Sequence, residues 1–201
     1  MKFFEELNQQ RWDDHRYYHQ SRINQSLHLL SAITFLVSYV MLFIDPVIAV
    51  MLGWIVAMLL RQAGHFFFEP KDYDKVNEAT HDYKESIKVG YNLKRKVVLL
   101  SLWMVFPVAL YYRPDFFGLM QAPSDVYGYF YNLSMIWLAF AVAALLFRTV
   151  HLFFIANVQS GLVWMTKILS DPFHDIKMYY KSPIHLLNGE LYDPMQHVKP
   201  H

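Results

Sequence analysis

Three histidines stand in segments that are otherwise helical in pattern and mostly apolar. They are His28, His65 and His151, and each lies near one end of a separate apolar block. An ionisable side chain in such a block is costly to bury and usually faces the inside of a helix bundle or a polar cavity. Because these histidines lie at one depth on different helices, we expect them to form a shared site.

Helical spacing groups further polar residues with these histidines. His15 and His19 are four residues apart, and so are Arg61, His65 and Glu69 in turn. Residues at this spacing lie on one face of a helix, about one turn from each other. Each row therefore predicts a cluster of polar side chains on a single face.

Two kinds of supporting side chain accompany the histidines. A metal-bound His usually donates its second ring N–H to a carboxylate, which Glu69 or Glu78 could supply. Arg148 lies three residues before His151 on the predicted fourth helix. A guanidinium can bind a ligand carboxylate through two parallel hydrogen bonds, so Arg148 and Arg61 are candidate substrate-binding residues. Arg148 could equally extend along the helix to the membrane interface.

Four apolar blocks must position these residues, and they indicate a membrane protein. Apolar residues form 55% of the chain, while charged residues form 17% against about 25% in soluble domains. A helix needs about 20 residues to cross a membrane, and we predict spans at about 27–44, 46–66, 97–112 and 133–155. The expected fold is all-α: a single polytopic membrane domain, 1–201, with four transmembrane helices in two antiparallel hairpins.

The basic residues predict the orientation of these spans. Of 18 Lys and Arg residues, only Arg113 falls on the side that carries the tight turn at 45–46 and the longer loop 113–131. By the positive-inside rule, both termini are then cytoplasmic. All ten histidines lie on the same side as the termini. The net charge of +1 argues against a nucleic-acid partner.

The residue types restrict the chemistry of the site. The chain has no cysteine, which excludes a disulfide scaffold, an iron–sulfur cluster, a Cys-ligated zinc site and a thiol nucleophile. Imidazole and carboxylate ligands suit Fe, Zn, Cu or Ni rather than Mg or Ca. By chemical analogy, a site of this kind beside a lipid phase indicates iron that acts with O2 on an acyl chain.

Two motifs resemble those of the membrane-bound 2-hydroxy fatty acid dioxygenases. The first, Tyr-His-x4-Asn-x3-His at 18–28, enters the first span, and the second, Gln-x-Gly-His-x3-Glu at 62–69, leaves the second span. The match covers about the first 70 residues, and residues 70–73 replace the basic-Ala-Pro-Ala stretch of that family. The family consists of small four-helix proteins of the fungal endoplasmic reticulum with bacterial relatives.

The resemblance implies an Fe(II)-dependent dioxygenase that shortens 2-hydroxy fatty acids by one carbon. It implies that His19, His28 and His65 are metal ligands, and it makes Asn24 and Glu69 candidate catalytic residues. The implied partners are a fatty acid, O2 and the membrane, either a bacterial inner membrane or the endoplasmic reticulum. A homo-oligomer stays open.

The motifs leave the fourth metal ligand and some alternative functions open. His151 and His81 are the candidates for the fourth ligand. The first alternative function is a histidine-box hydroxylase or desaturase, because His15-x3-His19 resembles a first box. The second is a non-enzymatic haem- or metal-binding subunit, in which His28 and His151 would bind haem across the bundle.

The C-terminal region predicts a separate peripheral element. Residues 170–175, Ser-Asp-Pro-Phe-His-Asp, are typical of a turn followed by a new helix. The amphipathic, aromatic segment 171–201 would then lie in the membrane interface. It would act as an anchor for the bundle or as a lid over the site.

Overall fold

The structure is a computed structural model, and it describes residues 1–195 of the chain. Within this range the protein is all-helical and contains no β-strand, as the sequence predicts. The end of the predicted tail, 196–201, lies outside the described residues. The helices are α1 (Phe3–Tyr18), α2 (Arg22–Met41), α3 (Pro46–Phe67), α4 (His81–Ile87), α5 (Leu93–Tyr112), α6 (Val126–Ile155), α7 (Val158–Tyr179) and α8 (Ser182–Leu187).

Short polar side chains begin most of these helices. A side-chain oxygen at each of these positions accepts a hydrogen bond from a backbone N–H in the first turn, which would otherwise have no partner. Pro46 follows its capping residue directly and has no N–H to satisfy at the first helical position. The capping residues include Ser21, Asp45, Asn92, Asp125 and Asn157.

Three helices, α2, α3 and α6, are long and apolar enough to cross a membrane. The predicted span at 46–66 coincides closely with α3, whereas α2 begins at Arg22 and α6 begins at Val126, both earlier than predicted. The predicted span at 97–112 lies in α5, which has 20 residues and carries three basic residues, 94–96, in its first turn. These cations limit the uncharged part of α5 to its last 16 residues, 97–112.

Helices α2 and α3 contact each other through small and polar residues. The Ser38 hydroxyl donates to the carbonyl of Ala49 at 2.6 Å, and the Ser31 hydroxyl donates to the carbonyl of Ala57 at 2.8 Å. The middle of α3, Leu52–Met58, is a π-helix. Small residues let the two backbones approach closely, as in other membrane helix pairs.

An aromatic core joins α3, α5 and α6 at the end away from the histidines. The Trp54 ring stacks on Trp103 with centroids 5.7 Å apart, and Trp103 lies 5.3 Å from Trp137. The Trp137 Nε1–H donates to the carbonyl of Trp103 at 3.2 Å. Helix α3 thus packs on this core near its start and carries His65 near its end.

The segment between α3 and α5 is anchored to the end of α1 through Lys84. The Tyr18 hydroxyl donates to the carbonyl of Lys84 at 2.5 Å, and the buried Lys84 Nζ lies 3.7 Å from Asp74. Its ammonium group also donates to the carbonyl of Tyr17 at 3.4 Å. These contacts hold 70–92 against the turn that carries His19.

Helix α7 overturns the prediction of a turn at Ser170–Asp175. It runs unbroken through Pro172, although a proline inside a helix costs about 3 kcal/mol. The Ser170 hydroxyl donates to the carbonyl of Thr166 at 2.5 Å, and α7 packs against α1, α2 and α6. This packing offsets the cost of the proline, so α7 is part of the bundle.

The residues after α7 also pack on the bundle. Asp193 accepts a hydrogen bond from Gln25 at 3.0 Å and forms an ion pair with Arg22 at 3.0 Å. The Ser182 hydroxyl at the start of α8 donates to Gln25 at 2.6 Å. The predicted interfacial tail therefore begins inside α7, and polar contacts bind its later part to the start of α2.

Candidate metal centre

His19, His28 and His65 form one compact cluster. One ring nitrogen from each histidine lies within 4.8 Å of the other two. The ring centroids are 4.1 Å apart for His19 and His28, 5.2 Å for His19 and His65, and 5.0 Å for His28 and His65. It is the single group of this kind that residues 1–195 contain. These are the three histidines that the two motifs contain: His19 lies in the turn after α1, His28 in α2 and His65 in α3.

Gly64 lets α3 approach α2 closely enough to form the cluster. A Cβ atom at this position would collide with the Asn24 side chain and would lie 3.4 Å from the His28 ring. Asn24 is fully buried, and its Nδ2 donates to the carbonyl of Tyr18 at 2.8 Å. Asn24, a catalytic candidate from the sequence, therefore lies where it positions the turn before α2 and the facing helix.

Each of the three imidazole rings has a polar neighbour at its Nδ1 atom. Such a neighbour fixes the ring orientation and the tautomer of a metal-bound histidine. In His19 and His65 the Nδ1 atom is hydrogen-bonded, so Nε2 is the atom left to bind a metal. The pairs are His19 with the Tyr179 hydroxyl at 3.1 Å, His28 with Asp175 at 3.5 Å, and His65 with Glu69 at 2.8 Å.

Among residues 1–195, the Nε2 atoms of His19 and His28 are buried and have no hydrogen-bond partner, and Nδ1 of His28 has none either. A buried polar atom without a partner costs about 1–3 kcal/mol, so two neighbouring ones need a physical explanation. A metal ion bound between them would satisfy both atoms at once. Three neutral imidazoles fit Fe(II), and they fit Zn(II), Cu(II) or Ni(II) as well.

Burial keeps His19 neutral, as a metal ligand must be. Burial, followed by the neighbouring imidazoles of His28 and His15, holds the pKa of His19 well below its ordinary value. Burial also raises the pKa of Tyr179 well above its ordinary value, so its hydroxyl keeps its proton. This hydroxyl lies 3.3 Å from Nδ1 of His15 and can accept a hydrogen bond from His19 while it donates to His15.

A network of buried ion pairs supports the cluster from α7. Arg61 forms an ion pair with Asp175 and lies 3.9 Å from Asp171. Lys167 in turn lies 3.1 Å from Asp171. Burial opposes ionisation of Asp175, but Arg61, His28 and Lys167 together outweigh it and lower the pKa of this carboxyl group. The Arg61 guanidinium, predicted to bind substrate, is therefore engaged within the protein.

The residues that α7 contributes to the site were missed from the sequence. Lys167, Asp171, Asp175 and Tyr179 follow each other at intervals of four, the spacing of one helical face. This signal was available, but it is visible only if Pro172 is allowed inside a helix. The predicted turn at that proline divided the row in two.

Glu69 and His81 lie around a small cavity beside His65. Burial raises the pKa of the Glu69 carboxyl group, against the opposing effect of Lys88 and Lys96. His81 lines a small cavity of about 10 Å³ beside His65 and Glu69, which is roughly the space of one water molecule. His81 is therefore near the site but outside the group of converging nitrogens.

Two residues predicted from the sequence lie elsewhere. His151 accepts a hydrogen bond from Arg148 at 2.8 Å, and the same guanidinium donates to the carbonyl of Val89 at 2.5 and 3.1 Å. This pair lines a groove between α5 and α6, so the structure does not bring His151 to the cluster. Haem binding between His151 and His28 then loses one of its ligands. Glu78, the alternative partner for a histidine, is exposed.

The fold and the site define an all-helical protein that has three candidate membrane spans and a histidine cluster able to hold a metal ion. No protein family matches the sequence, and neither a curated protein nor a solved structure shows significant similarity to it. The case for a function therefore depends on the residues of the two motifs and their geometry.

Proposed function

We propose that this protein is a membrane-bound, Fe(II)-dependent dioxygenase that shortens 2-hydroxy fatty acids by one carbon. The observation that carries the proposal is the convergence of His19, His28 and His65, the three motif histidines, with unsatisfied Nε2 atoms on two of them. Two further motif residues, Asn24 and Glu69, contact the elements that form the histidine cluster. Asn24 contacts Gly64, and Glu69 holds His65.

The proposed topology has four spans in two antiparallel hairpins, with α5 as the additional span and both termini in the cytoplasm. Two hydrogen bonds support an antiparallel pair of α5 and α6. The Tyr129 hydroxyl near the start of α6 donates to the carbonyl of Pro107 near the end of α5, and the Tyr91 hydroxyl just before α5 donates to the carbonyl of Ala144 further along α6. Basic residues supply the orientation. Reporter fusions after Tyr73 and after Ala122 should then report opposite sides, and the same side for both would contradict this topology.

Bound Fe(II) would supply the chemistry that activates O2. The hydroxyl and carboxylate oxygens of a 2-hydroxy acid would bind the same ion as a chelate. The net reaction balances without a further reductant. The bond between C1 and C2 breaks, and the 2-hydroxy acid and O2 give the shorter acid, CO2 and water. Four electrons pass from the two carbons to O2.

The chain's own residues would hold and orient the reactants. His19, His28 and His65 present neutral nitrogens, and their Nδ1 partners keep the rings in place. The small cavity beside His65 is lined by Lys88 and Lys96 among others. Glu69 and Glu85 line the same cavity, and Lys88 pairs with Glu85 at 3.0 Å, so the charges there largely balance each other.

The test uses purified protein loaded anaerobically with Fe(II) and supplied with 2-hydroxypalmitate and O2. Mass spectrometry should detect pentadecanoic acid, and its formation should stop with a chelator and in His65→Ala. Palmitate is the matched control, because it lacks the hydroxyl that completes the chelate and should react far less. Equal turnover of palmitate, or O2 consumption with another lipid alone, would contradict the proposed substrate.

The alternative enzyme class has less support. A histidine-box enzyme would need further histidines, but no His-x-x-His-His sequence occurs in the chain. Within residues 1–195 the converging group contains three histidines. The geometry therefore favours one metal ion in this centre.

A further inference from the structure

A groove between α5 and α6 has no part in the proposed metal chemistry. It encloses about 540 Å³, within the usual range of about 300–1,000 Å³ for pockets that bind small molecules. One end is polar and includes Tyr91, Arg95, Arg148 and His151. The rest of the wall is apolar and consists of Val98, Leu99, Phe140, Ala143, Ala144 and Phe147.

Helix α5 separates this groove from the metal centre. Leu93 and Lys96 line the small cavity beside His65, whereas Arg95, one position before Lys96, lines the groove. The two sets of lining residues have no member in common. A ligand in the groove would therefore not contact the metal-binding histidines.

Arg148 is the residue that makes the groove chemically selective. It is only 3% exposed, and its guanidinium bonds to the carbonyl of Val89 and to Nδ1 of His151. Over residues 1–195, neither Arg148 nor Arg95 forms an ion pair with an acidic side chain. A buried cation without a counter-ion is unfavourable, so an anionic ligand at this end would stabilise the protein.

The apolar wall of the groove indicates what is attached to the anionic group of that ligand. An apolar wall that continues from two arginines matches an amphiphile with an anionic head and an alkyl tail. A carboxylate fits the planar guanidinium through two parallel hydrogen bonds, and its small size suits a cation that is almost fully buried. We propose that the groove binds a free fatty acid, with its carboxylate on Arg148 and Arg95 and its single chain along the apolar wall.

The proposal is independent of the metal chemistry, and its test uses metal-free protein in a non-ionic detergent. The measurement is the binding of tritiated palmitate. Arg148→Gln keeps a donor for Val89 but removes the charge, and it should weaken binding roughly tenfold or more. Ala143→Trp fills the groove from an exposed position and should weaken binding to a similar extent, even if Arg148→Gln fails to fold. Val142→Trp, at the neighbouring exposed position outside the groove, should bind palmitate normally.

Competitors decide the chemical class of the ligand. Unlabelled palmitate should displace the label, whereas hexadecanol, which has the same chain without the carboxylate, should not. His65→Ala should retain palmitate binding, because the groove lies apart from the metal centre. Displacement by hexadecanol, or normal binding in Ala143→Trp, would overturn the proposal. Displacement by phosphatidylglycerol at an equal mole fraction would also overturn it, because the groove would then be a phospholipid site.

Discussion

The hydroxyl of Tyr179 lies 3.1 Å from Nδ1 of His19, although the two residues are 160 positions apart in the chain. His15 lies on the other side of the same hydroxyl, at 3.3 Å. The orientation of the His19 ring is therefore set by α7, which lies far outside the two motifs. Asp175, one turn earlier on α7, lies 3.5 Å from Nδ1 of His28, at ion-pair distance.

Removal of this hydroxyl should weaken the metal centre without unfolding the protein. In Tyr179→Phe, Nδ1 of His19 loses its partner, and metal affinity should fall about 10- to 100-fold, as is usual for such supporting residues. Competition with a chromophoric chelator measures the affinity. Tyr180→Phe, at an exposed neighbouring position, is the control and should bind metal normally. Unchanged metal affinity in Tyr179→Phe would show that the Tyr179 hydroxyl does not support metal binding by His19.

Loss of any one of the three clustered histidines should remove the metal. His19→Ala, His28→Ala and His65→Ala each leave two imidazoles, too few to hold the ion firmly. Elemental analysis of protein purified without chelator should show full metal in the wild type and little in these variants. His151→Ala should keep its metal, since this residue lies in the groove between α5 and α6. Full metal in all three cluster variants would refute the centre.

The contact between Gly64 and Asn24 predicts a non-additive pair of substitutions. In Gly64→Ala the new methyl group pushes against Asn24, moves α3 away from α2 and should lower metal occupancy several-fold. Asn24→Ala alone loses the hydrogen bond to Tyr18 and should also lower occupancy. The double variant has room for the methyl group and should be no worse than Asn24→Ala. Purely additive losses would show that the two sites act separately.

The metal-free protein should lose stability as the pH falls below about 6.5. The folded pKa of His19 lies below that of the unfolded chain, which is near 6.5. Between these two values the unfolded chain binds the additional proton, so the free energy of unfolding decreases with falling pH, by up to about 1.4 kcal/mol per pH unit for one group. Melting temperatures between pH 8 and 5.5 should show a shallower decline in His19→Gln. An identical decline in both proteins would contradict this assignment.

Local sequence was sufficient to predict the helical class and to single out the three histidines of the candidate metal centre. Runs of apolar residues indicate the candidate spans directly, because burial in lipid depends on composition over about 20 residues. His28 and His65 were identified by their unusual place within such runs, and the motif resemblance added His19. Spacing made Glu69 a candidate partner of His65, because residues four apart share a face, and the structure selects it over the alternative Glu78.

Contacts between distant segments determined the course of α7 and the positions of Arg61, Arg148 and His151. Pro172 is a helix breaker by its local chemistry, yet α7 continues through it because α1, α2 and α6 pack around that helix. The same packing places Arg61 next to Asp175. Arg61, which the sequence suggested as a substrate-binding residue, therefore forms an ion pair within the protein. Arg148 and His151 stayed together as their spacing predicts, but α5 stands between them and the metal centre. Spacing along a helix fixes which residues share a face, whereas the partner that the face meets depends on how the helices pack.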